Sequence, residues 1–217
     1  ADLASYDAET ESVILTGRPE LRDPDMRTRA ERVVIDLRDD SAEGTGKVQS
    51  THLRSAAGAT NVLADRLVVK RQNQTVHYEG NVRAWRGTDV IESAALDVYR
   101  NERRLSSGYQ VRTSHLQPAS LVAENRAAGA GKHETRPVTI RADRLEYFDQ
   151  GRKASYRGNV KLQTEDTTLE ADRVDAYFSG TPGGEATELE RAIADVAHQG
   201  PDRLMSGCGN AFDAARL

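Results

Sequence analysis

Through most of this chain apolar and polar side chains alternate with a period of two, the signature of half-buried antiparallel strands. Val33, Ile35 and Leu37 share a parity with Glu31, while Arg32, Asp36 and Arg38 share the other with Val34. The beat returns where Leu67 and Val69 stand against Arg66 and Lys70, and where Tyr78, Gly80, Val82 and Ala84 oppose His77, Glu79, Asn81 and Arg83. Leu145 and Tyr147 oppose Arg144 and Glu146, and Tyr156, Gly158, Val160 and Leu162 oppose Ser155, Arg157, Asn159 and Lys161. Polar turns at 71–74, 86–89, 149–152 and 163–166 separate these runs. The pattern predicts about a dozen strands, over 4–7, 12–17, 27–37, 43–49, 61–70, 75–85, 89–99, 104–113, 137–148, 153–163, 167–178 and 187–197.

The strands belong to repeated units. Ala30-Glu31-Arg32-Val33, Ala64-Asp65-Arg66-Leu67, Ala142-Asp143-Arg144-Leu145 and Ala171-Asp172-Arg173-Val174 share one tetrapeptide pattern, with a degenerate copy at Ala94-Ala95-Leu96-Asp97. Three of them are followed, sixteen residues on, by Gly46-Lys47-Val48, Gly80-Asn81-Val82 and Gly158-Asn159-Val160. Residues 64–99 overlay 142–177 at a constant shift of 78 without a gap. Ile91 and Leu169 carry the parity opposite to Leu96, Val98 and Val174. A bulge or bend near Ala94 and Ala171 brings all of them inside, as a strongly curved sheet requires. The repeated glycine is expected where the sheet folds over or where the opposite wall comes close, and Asn159, on the outer parity, is expected to tolerate Asp.

Outside the repeat lie 50–60 and 115–136. The second, with Pro118 and Ala127-Ala128-Gly129-Ala130-Gly131, reads as a long flexible loop. From about 200 to 217 the tail is irregular, with 211–217 expected as a short helix or a disordered end. Residues 1–217 are thus read as one all-β domain whose repeat region spans about 4–197.

Composition narrows the fold further. Only 37% of the 217 residues are hydrophobic and mean hydropathy is −0.66, too little for a thick globule and suited to sheet walls with one wet face. No run approaches the ~20 apolar residues of a membrane-spanning helix, so a transmembrane protein is not expected. The opening residues show no basic and apolar leader, so either there was no signal peptide or the chain is the mature form. Thirty basic and 34 acidic residues, net charge −4, are scattered without a basic stripe, which argues against a nucleic-acid partner. The single cysteine, Cys208, excludes an internal disulfide framework and a cysteine-based metal site.

The residues offer no catalytic constellation. His52, His77, His115, His133 and His198 lack the spacing of a metal site; four fall in predicted loops or strand ends, and His77 faces solvent. Glu31, Asp65, Asp143 and Asp172 recur at strand starts, which suits turn capping and pairing with the neighbouring arginine better than paired-carboxylate catalysis. Ser206-Gly207-Cys208-Gly209 lacks the strand-to-helix context of a nucleophile elbow, and Trp85 is expected to pack at a strand end. No metal and no cofactor is expected.

What remains is the inward stripe of Val33, Ile35, Leu67, Val69, Tyr78 and Val82, continued by Leu96, Val98, Leu145 and Tyr147 and then by Val160, Leu162, Leu169 and Val174. A curved sheet lined this way either closes on itself or leaves a trough. A trough suits acyl chains, which need apolar walls and few directed hydrogen bonds.

The series Ala-Asp-x-Leu, Tyr-x-Gly-Asn-Val, Ala-Asp-x-Val-x-x-Tyr resembles the OstA/LptA-like family of lipopolysaccharide-transport proteins. The opening from Tyr6 through Leu15-Thr16-Gly17-Arg18-Pro19 to Ala30-Glu31-Arg32-Val33 is also similar to the first unit of that family. The resemblance implies a folded-over antiparallel β-jellyroll, or β-taco, in the periplasm. It implies a non-enzymatic carrier or bridge that passes lipopolysaccharide towards the outer membrane, with lipid A acyl chains inside. It also implies edge-to-edge stacking with other such domains, copies of this chain included. The last unit departs from the pattern, reading Ala192-Ile193-Ala194-Asp195-Val196. Three components stay open: the free periplasmic bridge, the soluble part of the membrane-anchored component, and the periplasmic part of the outer-membrane barrel. The alternative is a structural, adhesin-like β-repeat scaffold that binds protein or polysaccharide on its outer face.

Overall fold

The computed structural model describes residues 1–53, 59–70, 74–118, 135–165, 167–178, 189–195 and 211–212. Among these described residues every strand pairing is antiparallel and none is helical. Six long strands carry the architecture: β6 (Ser41–His52), β7 (Thr60–Lys70), β8 (Thr75–Arg86), β9 (Asp89–Tyr99), β14 (Lys153–Gln163) and β15 (Thr168–Phe178). Each runs through two walls, with a corner near its middle. The short strands each belong to one wall. β1 (Leu3–Asp7), β2 (Ser12–Thr16) and β5 (Arg32–Asp36) continue the first wall from the Ser41–Thr45 half of β6. β3 (Glu20–Arg22) and β4 (Met26–Arg29) continue the second wall from its Gln49–His52 half. Farther along, β10 (Arg104–Ser107) and β13 (Arg144–Phe148) bridge β9 to β14 in the first wall, while β11 (Val111–Pro118) and β12 (Thr135–Ala142) do so in the second. β16 (Leu189–Asp195) and β17 (Ala211–Phe212) end the first wall. The result is a folded-over antiparallel jellyroll.

The corner is written in the repeat. Gly46 and Lys47, Gly80 and Asn81, and Gly158 and Asn159 are pairs of left-handed residues, with φ of 77 and 46°, 77 and 47°, and 76 and 47°. Each pair inserts one residue more than its neighbour supplies. Gly46 and Lys47 oppose Asp65, Gly80 and Asn81 oppose Ala94, and Gly158 and Asn159 oppose Asp172. Such bulges bend a strand and increase its twist. The acid sixteen residues upstream braces each one. Asn81 Nδ2 donates to Asp65 Oδ2 at 2.8 Å, Asn159 Nδ2 to Asp143 Oδ2 at 2.7 Å, and Lys47 Nζ lies 3.0 Å from Glu31 Oε1. A Cβ on any of the three glycines would fall 2.5 Å from an oxygen of the bracing carboxylate, so glycine is required by space as well as by φ.

These contacts revise several sequence expectations. The bulges lie level with Ala94 and Asp172, beside the expected Ala94 and Ala171, but the extra residue sits on the glycine-bearing strands. The glycines do sit where the sheet folds over, but what approaches each of them is the bracing acid, not the opposite wall. Glu31, Asp65 and Asp143 brace the corner with Lys47, Asn81 and Asn159, not with the neighbouring arginine. Asn159 is therefore a structural residue, and a second carboxylate there would face Asp143.

Three strands expected as single, over 27–37, 104–113 and 137–148, are each broken in two, at Ala30–Glu31, at 108–110 and at Asp143. At each break the chain turns the corner by leaving the ladder instead of bulging within it. β3 was not expected. The excursion over 115–136 is shorter than its sequence implies, because His115 to Pro118 pair with Val138 to Thr135. Ser50–His52 and Thr60 extend β6 and β7 into the 50–60 gap. Ala211–Phe212 form a strand against Ala192–Ile193 where a helix or disordered end was expected. The tail around Cys208, the end of the predicted 187–197 strand with Val196, the tip of the excursion, and His133 and His198 lie outside the described residues.

The interior holds two packed cores. One gathers Val33, Leu67, Tyr78, Val82 and Leu96 with Met26, Val48, Val62 and Val76. The other gathers Leu145, Tyr156, Val160, Leu162 and Val174 with Val111, Val138, Ile140 and Phe178. Ile91 and Leu105 pack against both.

Candidate functional site

Between the two cores the walls stand apart around a cavity of about 610 Å³, within the ~300–1,000 Å³ range of small-molecule sites. Its inner surface is Val62, Ala84, Ile91, Leu96, Leu105 and Ala154, with Trp85, Val98, Leu145 and Phe178 beside them. Its outer rim is ionic: Asp25, Arg86, Asp89, Arg100, Arg103 and Asp149. All six rim residues sit in turns or at strand ends remote from the corner, so the cavity opens along the seam where the two walls' free lips face each other.

Polar struts span from wall to wall across this space. Tyr78 in the first-wall half of β8 reaches His52 at the second-wall end of β6, with Nε2 and the phenol oxygen 2.7 Å apart, and lies 3.9 Å from Met26 Sδ. Seventy-eight residues later, Tyr156 makes the equivalent reach from β14 to Thr113 Oγ1 at 2.9 Å. Both tyrosines are fully buried, and burial pushes both phenols above their ordinary range. Burial, and secondarily the Arg100 guanidinium, lowers His52 from 6.5 to about 4, so this imidazole is neutral at physiological pH. His115 stacks near Phe178 at 5.2 Å and lies 3.0 Å from Asp89.

The fourteen inward residues divide between these places. Val33, Leu67, Val69, Tyr78, Val82, Val160, Leu162 and Val174 are buried within the two cores, and Ile35 and Leu169 are half-buried against them. Leu96, Val98, Leu145 and Tyr147 line the cavity. Sequence reasoning missed Val62, Leu105 and Phe178, and it put Ile91 and Tyr156 inside without naming them among the site residues, although Tyr156 is the 78-residue counterpart of Tyr78. It also misplaced two histidines. His52 and His115 lie in strands facing the cavity, not in loops, because the pairing of β6 with β4 and of β11 with β12 extends beyond the alternating pattern. His77 stays on the outer face, 2.7 Å from Asp97. Trp85, near the end of β8, lines the cavity. Among the described residues no three His, Cys, Asp or Glu side chains gather where a metal ion could sit.

By sequence, the family described as LptA/(LptD N-terminal domain) LPS transport protein matches residues 61–135 and 139–211, more than half of the chain. No curated protein matches it. Among solved structures, similarity is found to LptH, the LptA homologous periplasmic component of the conserved lipopolysaccharide transport device from Pseudomonas aeruginosa. That chain is 11% identical, and the superposition covers 70% of this chain and 90% of that one at a TM-score of 0.43.

Proposed function

The chain belongs to the LptA/LptD N-terminal-domain family of lipopolysaccharide transport proteins, and we propose that it acts there as a non-enzymatic carrier, holding acyl chains in the cavity between its two cores. One observation carries this reading: an apolar chamber opens sideways between two rows of charged turns. An acyl chain buried there leaves water for apolar walls, at roughly 0.8 kcal/mol per CH₂, while its headgroup stays at the wet rim. The place of work we infer is the periplasm, with residues 1–217 acting as one domain.

Docking to similar domains, or to a second copy, would use the free sheet edges. Among the described residues β1 pairs on one side only, and it exposes Leu3 at 65% and Tyr6 at 61%. Unpaired edges of this kind accept a further strand. Val13-Ile14-Leu15 of β2 offers no such edge, being covered on both sides by β1 and β5. At the other end β17 lies against Ala192–Ile193 of β16.

Photo-crosslinking tests the carrier reading. Leu105 and Val98 are better probe sites than the core residues Val82 and Leu162, which are buried on all sides. Crosslinkers at Leu105 or Val98 are expected to capture lipopolysaccharide, and those at the outward Lys161 or Arg83 are not. Capture confined to the outer positions would instead support the scaffold reading.

A further inference from the structure

We propose that the cavity is loaded sideways through the seam, and that the ion pair between Arg100 and Asp23 is a latch which an anionic headgroup opens by taking Asp23's place on the guanidinium. The proposal rests on the carrier reading and adds the route and its gate.

Arg100 lies in the turn after β9, on the lip of the first wall, and Asp23 lies in the turn between β3 and β4, on the lip of the second. Arg100 Nη1 and Nη2 approach Asp23 Oδ2 at 3.1 and 3.0 Å, so the pair ties one lip to the other at the mouth of the cavity. The Arg100 side chain is only 15% exposed. The two partners are unequally held. Asp23 Oδ1 accepts the amides of Asp25 and Met26 at 2.8 and 2.7 Å, so its turn keeps the carboxylate satisfied whether or not the seam is closed. Burial pushes this carboxyl up, but the Asp25 amide and the Arg100 guanidinium outweigh it and hold it below the usual range.

Arg100 is less secure. Both terminal nitrogens converge on one oxygen, its Nε is buried without a hydrogen-bond partner among the described residues, and Nη2 otherwise meets Met26 Sδ at 3.3 Å. Parting the lips therefore strips the arginine far more than the aspartate, and a half-buried cation without its anion is strongly unfavourable. A carboxylate, sulfate or phosphate arriving with an acyl chain replaces what Arg100 loses, and can do so with two oxygens where Asp23 offers one. A neutral headgroup cannot. The latch thus admits anionic amphiphiles in preference to neutral ones of the same chain length.

The test follows uptake of a fluorescently labelled hexadecanoate and of its methyl ester. In a Cys208→Ser background, Asp23→Cys and Arg100→Cys are bridged with a short bis-methanethiosulfonate linker. Bridging should slow uptake of both probes roughly tenfold or more, and reductant should restore it. In the otherwise natural chain the acid should be favoured over its ester by roughly tenfold, and Arg100→Gln should bring the ratio close to one. Thermal melting confirms that each variant is folded. Unchanged uptake after bridging, or an acid-to-ester ratio that survives Arg100→Gln, overturns the latch alone. A natural chain that takes up neither probe defeats the carrier reading and the latch with it.

Discussion

Residues 64–99 and 142–177 are two copies of one sequence, and they agree where the motif is local and part where it is not. The corners coincide: Gly80 and Gly158 have φ of 77 and 76°, and the asparagine-to-aspartate bonds are 2.8 and 2.7 Å. A cross-strand pair on the outer face also recurs, His77 with Asp97 in one copy and Ser155 with Asp175 in the other, both at 2.7 Å. Yet β7 runs unbroken through Asp65, whereas the chain at Asp143 is split into β12 and β13. The cause is the neighbour. β7 pairs along its length with the continuous β6, but β12 and β13 face β11 and β10, themselves separated at 108–110. The buried tyrosines differ in the same way, Tyr78 meeting His52 and Tyr156 meeting Thr113. The motif specifies the bend, and the adjoining strand specifies everything reached across the interior.

The largest effect should come from charging the shared interior. Val82→Asp and Val160→Asp place an unpaired carboxylate in a core, and each should lower unfolding free energy by about 4 kcal/mol, read by urea denaturation. A cost at one position without the other would break the equivalence of the copies.

Next is a pH effect at the strut between Tyr78 and His52, which has a threonine in place of the histidine at the second copy. Unfolded His52 takes up its proton near 6.5, but the folded group holds off until about 4. In that window the unfolded chain binds more protons, so stability falls as pH drops from 6.5 towards 4, by on the order of 3 kcal/mol in all. Denaturation curves at pH 7 and pH 5 should show about 2 kcal/mol of this loss, and His52→Gln should flatten it. Thr113→Val, which alters the strut of the second copy, should leave the pH dependence in place.

Gly80→Ala and Gly158→Ala should each cost about 2 kcal/mol, because a Cβ at that φ is strained and collides with the bracing acid. Equal losses of melting temperature would confirm a common corner. Smallest are Asn81→Asp and Asn159→Asp, each exchanging a hydrogen bond for two facing carboxylates and costing about 1 kcal/mol. High salt should recover part of that loss if repulsion is its source.

The repeat, the inward parity and the place of the corner were legible in the sequence because each is a relation among near neighbours. Gly80, Asp65 and Asn81 stand within sixteen residues of one another, and the period-two pattern put Val160 and Leu162 inside. The breaks at Ala30–Glu31 and Asp143 were not legible, since Ala64-Asp65 carries the same motif without a break and only the pairing partner differs. Nor was the division of the inward stripe into packed core and open cavity. Val82 and Val98 look alike in sequence, and where the walls part depends on all the strands between them. His52 and His115 faced the interior unseen because long-range pairing set their orientation.

Because each glycine bulge is braced by its own acid and asparagine or lysine, the molecule has the character of a spine whose vertebrae are individually locked. Adding one hairpin advances the structure by two strand spacings, ~10 Å, and requires no change in the units on either side. Length is therefore an adjustable quantity in this architecture, set by the number of hairpins, while the cross-section stays fixed by one short motif.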